Sequence, residues 1–365
     1  MPDRRLPGTL YAERLQRLQE LIVAAEAEAF LCLPGTNFLY LTGLDAHRSE
    51  RLIALLVPAE GHPELIAPAF ERERLVHNRL FAEVRTWEED QNPFRLVADR
   101  LSKPRTRARV IVMEASTDVV TSARLARADD RLDLIPDEEV MDALRSRKSA
   151  AELALLRHAI RLTHDARESV VDALRPGVTE AEVAGMLQSA LTYGSKEPSW
   201  ALAQFGPSAA IPHGSPGLRK LAKGDVVLMD CGTSFGGYQG DITRTFVFGG
   251  EPSGEVKKVM QVVKRAHDAA VEIAGPGVPC EDVDAAARKV IEKSGYGEFF
   301  THRTGHGLGM DVHEQPYLVK GNRRRLSAGN VVTVEPGIYL PGKFGVRHEN
   351  DVLVTDGGAE VLVEK

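Results

Sequence analysis

Cysteine is scarce in this chain. Among 365 residues there are three, Cys32, Cys231 and Cys280, and none forms a CxxC pair. That pattern excludes a disulfide framework and a thiolate metal site, and it suits a reducing compartment, so the expected address is the cytoplasm. Long apolar runs are also missing. No stretch of about 18 consecutive apolar residues occurs, so no membrane-spanning helix is expected. The start, Met1-Pro-Asp-Arg-Arg-Leu-Pro-Gly8, lacks the apolar segment of a secretory signal. There is no excess of positive charge: Lys plus Arg is 46, Asp plus Glu is 52, and the net charge is −6. That balance argues against nucleic acid as a partner. The basic run Arg323-Arg324-Arg325 reads as a solvated loop.

What remains is an ordinary globular composition, 43% hydrophobic and 27% charged, with length enough for two domains. In the first part, Leu15, Leu18, Leu21 and Ile22 form a helical stripe. Strands are expected at 29–33, 52–57, 64–67, 110–113 and 132–135, with helical segments around 71–78 and 94–102 between them. Asn37 to Gly43 ends in a turn. Strands alternating with helices indicate an α/β domain. It contains no glycine-rich phosphate loop and no cluster of catalytic residue types, which suits a scaffolding or oligomerisation role. A boundary falls within 136–149. Ser149-Ala-Ala-Glu152 is then a capping box opening a helix that runs to about Leu174 and stops at Pro176-Gly177. The expected domains are 1–140 and 141–365.

The second domain has a weak internal repeat. His164-Asp-Ala, then Pro176-Gly-Val, matches His267-Asp-Ala, then Pro276-Gly-Val. Each copy precedes an apolar hairpin that carries two acids. In the first hairpin Gly236-Gly237 suits a two-residue turn with positive φ. That turn sets Asp230 opposite Thr243 and Asp241 two places along on the same face, with Cβ atoms roughly 7–8 Å apart. In the second, a loop centred on Gly342 sets Glu335 across from Glu349. Two like charges so close need a cation between them unless the hairpin is merely solvated. Between the hairpins lie Gly305-His306-Gly307-Leu-Gly309 and His313-Glu-Gln-Pro316, and before them lies Ala209-Ala-Ile-Pro-His213. The three glycines let the backbone around His306 approach a neighbour closely.

Taken in order, these motifs resemble the pita-bread metallopeptidases: Xaa-Pro dipeptidase (prolidase), aminopeptidase P and, more distantly, methionine aminopeptidase. The matching residues are Ala209-x-x-Pro-His213, Asp230, Asp241, Gly305-His306-Gly, His313-Glu-x-Pro316, Glu335-Pro-Gly and Gly345-Val-Arg-x-Glu349, spread over roughly 150–360. Asn37-x-x-Tyr40-Leu-Thr-Gly43 resembles the accessory domain of the creatinase and prolidase branch, which methionine aminopeptidases lack. The fold this implies is α/β (α+β): a creatinase-like N-terminal domain followed by a pita-bread catalytic domain with pseudo-twofold symmetry.

The resemblance further implies five metal ligands, Asp230, Asp241, His306, Glu335 and Glu349, holding two divalent ions per chain. Four carboxylates and one imidazole suit Mn²⁺ first, with Co²⁺ or Zn²⁺ as alternatives. Asp241 and Glu349 are the expected bridges. Glu335 also becomes the candidate proton shuttle, and His213 and His313 the candidate stabilisers of the tetrahedral intermediate. Arg347 has two readings, a clamp for the substrate carboxylate or an orienter of the ligands. The implied activity is hydrolysis of Xaa-Pro bonds in small peptides, by a homodimer, with the dipeptidase placed narrowly ahead of an aminopeptidase acting on longer peptides. A metal-free creatinase-like hydrolase and a non-catalytic binding module are remoter alternatives. Two positions depart from the pattern. Tyr317 follows the His-Glu-x-Pro motif where some prolidases have arginine, and Asn350 stands where relatives often have aspartate. Arg303, His302, Arg347 or a second subunit are the candidates to replace the missing cation.

Overall fold

The computed structural model describes residues 3–76, 83–101 and 109–362. Two compact units divide the chain between Arg145 and Ser146, with the first few residues belonging to the second unit.

The first unit is built on a mixed sheet whose order is β4-β3-β2-β1-β5-β6. Its strands are β1 (Ala29–Cys32), β2 (Ala54–Pro58), β3 (Glu64–Pro68), β4 (Glu83–Trp87), β5 (Arg109–Glu114) and β6 (Leu132–Asp137). The β1–β2 and β2–β3 pairs are antiparallel; β1–β5, β5–β6 and β3–β4 are parallel. Every residue of β1 is buried, as its unbroken apolar sequence requires of a central strand. Helix α1 (Gly8–Ala24) buries Leu15, Leu18 and Ile22, each side chain contributing roughly 1.5–3 kcal/mol. Helix α2 (Thr36–Thr42) covers the segment expected to end in a turn, and Gly43 ends it at φ 68°. Helices α3 (Arg72–Val76), α4 (Pro93–Arg100), α5 (Val119–Ala128) and α6 (Glu139–Arg145) complete the unit. The expected helical segments to residues 78 and 102 run past the described residues. Sequence reading passed over α5, β4 and α6, short elements whose periodicity charged residues obscure. Helix α6 fills much of the segment read as an inter-domain boundary. Trp87 is buried in this unit's core, and its indole N–H donates to the Leu52 carbonyl at 3.1 Å.

In the second unit the repeat is carried by two helix pairs, α7 (Ala150–Asp172) with α8 (Glu180–Ser195), and α9 (Gly254–Ile273) with α10 (Cys280–Lys293). Ser149 and Glu152 form the expected capping box on α7, and Thr179 with Glu182 forms another on α8. The repeat extends to the backbone. Gly177 N–H donates to Leu221 O and Leu221 N–H to Val178 O; Gly277 N–H donates to Leu326 O and Leu326 N–H to Val278 O. Val183, Leu187 and Leu191 of α8 sit in one apolar core, and Val283, Ala287 and Ile291 of α10 in the other. Matching helices thus bury matching stripes against matching sheets.

One sheet has the order β7-β8-β9: β7 (Ser199–Phe205), β8 (Val226–Phe235) and β9 (Tyr238–Val247). The other is β11-β10-β12-β15-β16, with β10 (Gly305–Gly307), β11 (Glu314–Leu318), β12 (Val331–Val334), β13 (Gly337–Leu340), β14 (Phe344–Arg347), β15 (Asn350–Thr355) and β16 (Gly358–Val361); β13 and β14 pair with each other. Among the described residues no helix is long and apolar enough to cross a membrane.

Candidate metal centre and active site

The hairpin β8–β9 has the register read from its turn. Phe235 pairs with Tyr238 around Gly236 and Gly237, both at positive φ (60° and 80°), and Asp230 lies opposite Thr243 with Asp241 opposite Gly232. Asp230 and Asp241 therefore share a face. The second hairpin also keeps the expected register. Val334 pairs with Asn350 and Gly337 with Arg347. Its irregularity lies between those pairs. There the pairing is interrupted at Glu335-Pro336 and His348-Glu349: His348 N–H still donates to Pro336 O at 3.4 Å, but proline has no N–H to return. Glu335 N–H turns instead to Thr304 O at 2.8 Å, and Glu349 N–H to Thr243 O at 3.2 Å. The break knits the two halves together through β9 and aims both acids inward.

Those acids meet in a cavity of about 420 Å³ lined by all eight candidate site residues: His213, Asp230, Asp241, His306, His313, Glu335, Arg347 and Glu349. His306 Nε2 lies 3.3 Å from Glu335 Oε1 and 3.9 Å from Asp241 Oδ2. One ligand atom each of Asp241, His306 and Glu349 fall within 4.8 Å of one another. His306 Nδ1 is 3.0 Å from the Gly307 carbonyl, so that nitrogen carries the proton and Nε2 faces the acids. Gly305 and Gly307 are required here. A Cβ on the first would strike the Thr333 carbonyl, and on the second the Gln315 carbonyl.

Four carboxylates, two buried and two part-buried, cannot all ionise in such a space without cations. Burial, then repulsion from their neighbours, pushes Asp241 and Glu349 well above the usual carboxylate range. Asp230 is also raised by burial, against the pull of Arg347. Burial opposes ionisation of Glu335 too, but contact with His306 and the charges of His302 and Arg347 outweigh it and hold its carboxyl down at about 2. Asp230 Oδ1 and Asp241 Oδ1 are buried with no hydrogen-bond partner. Oxygens left bare in a negative pocket, beside an imidazole with its lone pair turned inward, fit a divalent metal centre.

Arg347 is buried and fully engaged. Its guanidinium donates to Asp230, to Thr243 Oγ1 at 3.0 Å and to the Tyr339 hydroxyl at 2.9 Å. This is the geometry of the orienting reading. His213 and His313 stand exposed at the cavity mouth. The His313 ring packs edge-on against His306, centroids 4.2 Å apart, and desolvation followed by the nearby His306 and Arg303 charges lowers its pKa to about 4.

Several contributors were not legible beforehand. Thr243 donates to Glu349 Oε2 at 2.5 Å. Trp200 lines the cavity and lies over Gly232, where a Cβ would meet its indole. Tyr339 links Arg347 to His302 Nε2 at 2.8 Å. Buried Asp284 accepts from Thr304 N–H and Oγ1 while paired with Arg288. Lys148 and Glu314 form a buried pair at 2.6 Å that anchors the loop bearing His313. Apart from Asp284–Arg288, one turn apart on α10, and Tyr339–Arg347, on the paired strands β13 and β14, these contacts join segments distant in sequence and no local signal marks them.

Known proteins are similar to this chain in sequence and fold. Residues 154–356 match metallopeptidase family M24, and residues 14–147 match the creatinase/prolidase N-terminal domain. A probable dipeptidase PepE from Mycobacterium bovis is 38% identical, the match covering 98% of this chain and 96% of that protein. The structure of a prolidase from Thermococcus sibiricus superposes with a TM-score of 0.89 at 37% identity, covering 97% of each chain. An X-Pro aminopeptidase from Thermotoga maritima superposes at 0.83 with 30% identity, covering 96% of this chain and 98% of its own. The chain therefore belongs to metallopeptidase family M24, in the pita-bread branch whose members carry a creatinase/prolidase N-terminal domain.

Proposed function

We propose that this chain is a dinuclear-metal-dependent peptidase that hydrolyses Xaa-Pro bonds and prefers Xaa-Pro dipeptides to longer peptides. The observation that carries the reading is the set of four carboxylates, Asp241 and Glu349 buried and Asp230 and Glu335 part-buried, and one inward-facing imidazole on the wall of a single cavity, with two of the oxygens unpartnered. In this reading Asp230, Asp241, His306, Glu335 and Glu349 hold two divalent ions, Mn²⁺ first. Such a pair supplies Lewis acidity that polarises a carbonyl and makes water nucleophilic near neutral pH.

The chain's own residues do the rest. Arg347 fixes Asp230, and the Thr243 hydroxyl fixes Glu349, so neither carboxylate rotates away. Glu335 accepts the proton of the attacking water and returns it to the proline nitrogen. That delivery is essential, because an amide nitrogen within the proline ring is a poor leaving group until protonated. His313, neutral at pH 7, donates an N–H to the developing oxyanion from the cavity mouth, and His213 does so from the opposite loop. Trp200, Pro212 and Val312 give the cavity apolar walls that suit a proline ring. The named dipeptidase and prolidase relatives support the dipeptide preference.

Tyr317 favours a second reading, an aminopeptidase acting on longer chains, because it supplies no charge where a dipeptide carboxylate would lie. Kinetics on Xaa-Pro dipeptides against Xaa-Pro-Yaa tripeptides decide between the two. A higher kcat/KM for dipeptides is expected; efficient tripeptide cleavage with dipeptides nearly inert overturns the dipeptidase reading.

A further inference from the structure

A dipeptide ending in proline carries its own carboxylate one carbon from the leaving nitrogen. Taken out of bulk water, that charge needs a cation with free N–H groups on the cavity wall. Two arginines line the cavity, Arg347 and Arg303. Each of the three guanidinium nitrogens of Arg347 already donates, to Thr243, Tyr339 and Asp230.

Arg303 is placed differently. Its guanidinium lies over the ring of Tyr317, Cζ 4.2 Å from the centroid. Stacking occupies a face of the planar group and leaves its N–H edges outward. Among the described residues no carboxylate pairs with it. The backbone on either side is fixed. His302 Nδ1 donates to the Arg303 carbonyl at 2.7 Å, Arg288 holds the His302 carbonyl at 3.0 Å, and Thr304 N–H is held by Leu318 O at 3.0 Å and by Asp284 at 3.2 Å. A cation whose backbone and stacking partner are already ordered binds at lower entropic cost.

We infer that Arg303, supported face-on by Tyr317, is the residue that binds the substrate's C-terminal carboxylate and so sets the preference for dipeptides; this rests on the dipeptidase reading above. Tyr317 is then a positioning residue. The tyrosine after the His-Glu-x-Pro motif marks a carboxylate site carried by a neighbouring loop.

The test compares Ala-Pro with its C-terminal amide, Ala-Pro-NH₂, and with Ala-Pro-Ala, using the metal-loaded enzyme. Wild type should favour Ala-Pro. Arg303→Ala should raise KM for Ala-Pro on the order of 10–100-fold, as loss of a charge-assisted bidentate contact does, with a smaller change in kcat. Activity on the amide should stay within about twofold, which also shows that the variant is folded. Tyr317→Phe should leave both KM values unchanged, and Tyr317→Ala should raise the Ala-Pro KM by a smaller factor than Arg303→Ala. If Arg303→Ala keeps the wild-type preference for the free carboxylate, or depresses amide and acid equally, the assignment is wrong while the dipeptidase reading stands. Should Arg303→Ala fail to fold, Arg303→Gln gives the same comparison. If wild type itself prefers the amide and the tripeptide, the dipeptidase reading fails and the assignment falls with it.

Discussion

At the scale of single residues, Asp241 and Glu349 are the most consequential side chains. Each faces both the His306 imidazole and the unpartnered oxygens across the cavity. Asp241→Asn and Glu349→Gln should each abolish measurable turnover and lower the metal content of the folded protein, because removing one charge unbalances the set. Elemental analysis beside a peptidase assay checks this, and two metals with near-normal turnover in either variant would refute the bridging role. His213→Ala and His313→Ala should behave otherwise. Both side chains stand at the mouth, so the variants should keep their metal and lose on the order of 10²-fold in turnover; metal loss from His313→Ala would count against the proposed ligand set. All eight of these candidate positions could be picked out in the sequence because each sits in a motif with its own glycine or proline. Thr243, Tyr339 and Asp284 could not, since they are ordinary residues until folding sets a distant partner beside them.

At the scale of elements, the informative feature is the opening in the second hairpin. Its register was legible, because a turn fixes pairing and side chains alternate with a period of two. The site of the interruption was not, because the competing acceptors belong to other segments, Thr304 O just ahead of β10 and Thr243 O on β9. The short strand β10 is equally dependent on neighbours. Gly305→Ala should destabilise the protein by about 2 kcal/mol or more and weaken metal retention, since the new methyl meets a strand carbonyl that has no room to yield. Gly185 provides the contrast. It lies within α8 with open space around its Cα, so Gly185→Ala should stabilise by roughly 0.5–1 kcal/mol. Thermal unfolding of the two variants checks both signs.

At the scale of the whole chain, two units with separate cores respond to different conditions. In the first, Asp129 is bound by Arg131 and by buried Arg109. The Arg131 hydrogen bond, opposed by some desolvation, holds its carboxyl well below the usual range. A depressed acid contributes stability that is complete above its unfolded pKa, roughly 4, and is lost as pH falls toward the folded value. Acid unfolding of this unit should therefore begin below about pH 4, and Asp129→Asn should lower its melting temperature at pH 7 while flattening that acid dependence. In the second unit, chelation should lower the unfolding midpoint, because a ligand of the folded state at about 100 times its Kd adds ~2.7 kcal/mol. The division into a scaffold-like first part and a second part that carries the site motifs was legible from motif order. How each core closes was not, because it depends on packing between elements far apart in sequence. The two tryptophans of the chain fall one to each unit, Trp87 in the first core and Trp200 on the wall of the cavity. The protein thus carries two optical reporters already wired to different events: in Trp87→Phe the remaining emission follows the catalytic pocket, and in Trp200→Phe it follows the accessory fold, so that loading, peptide entry and melting can each be assigned to a unit without a label.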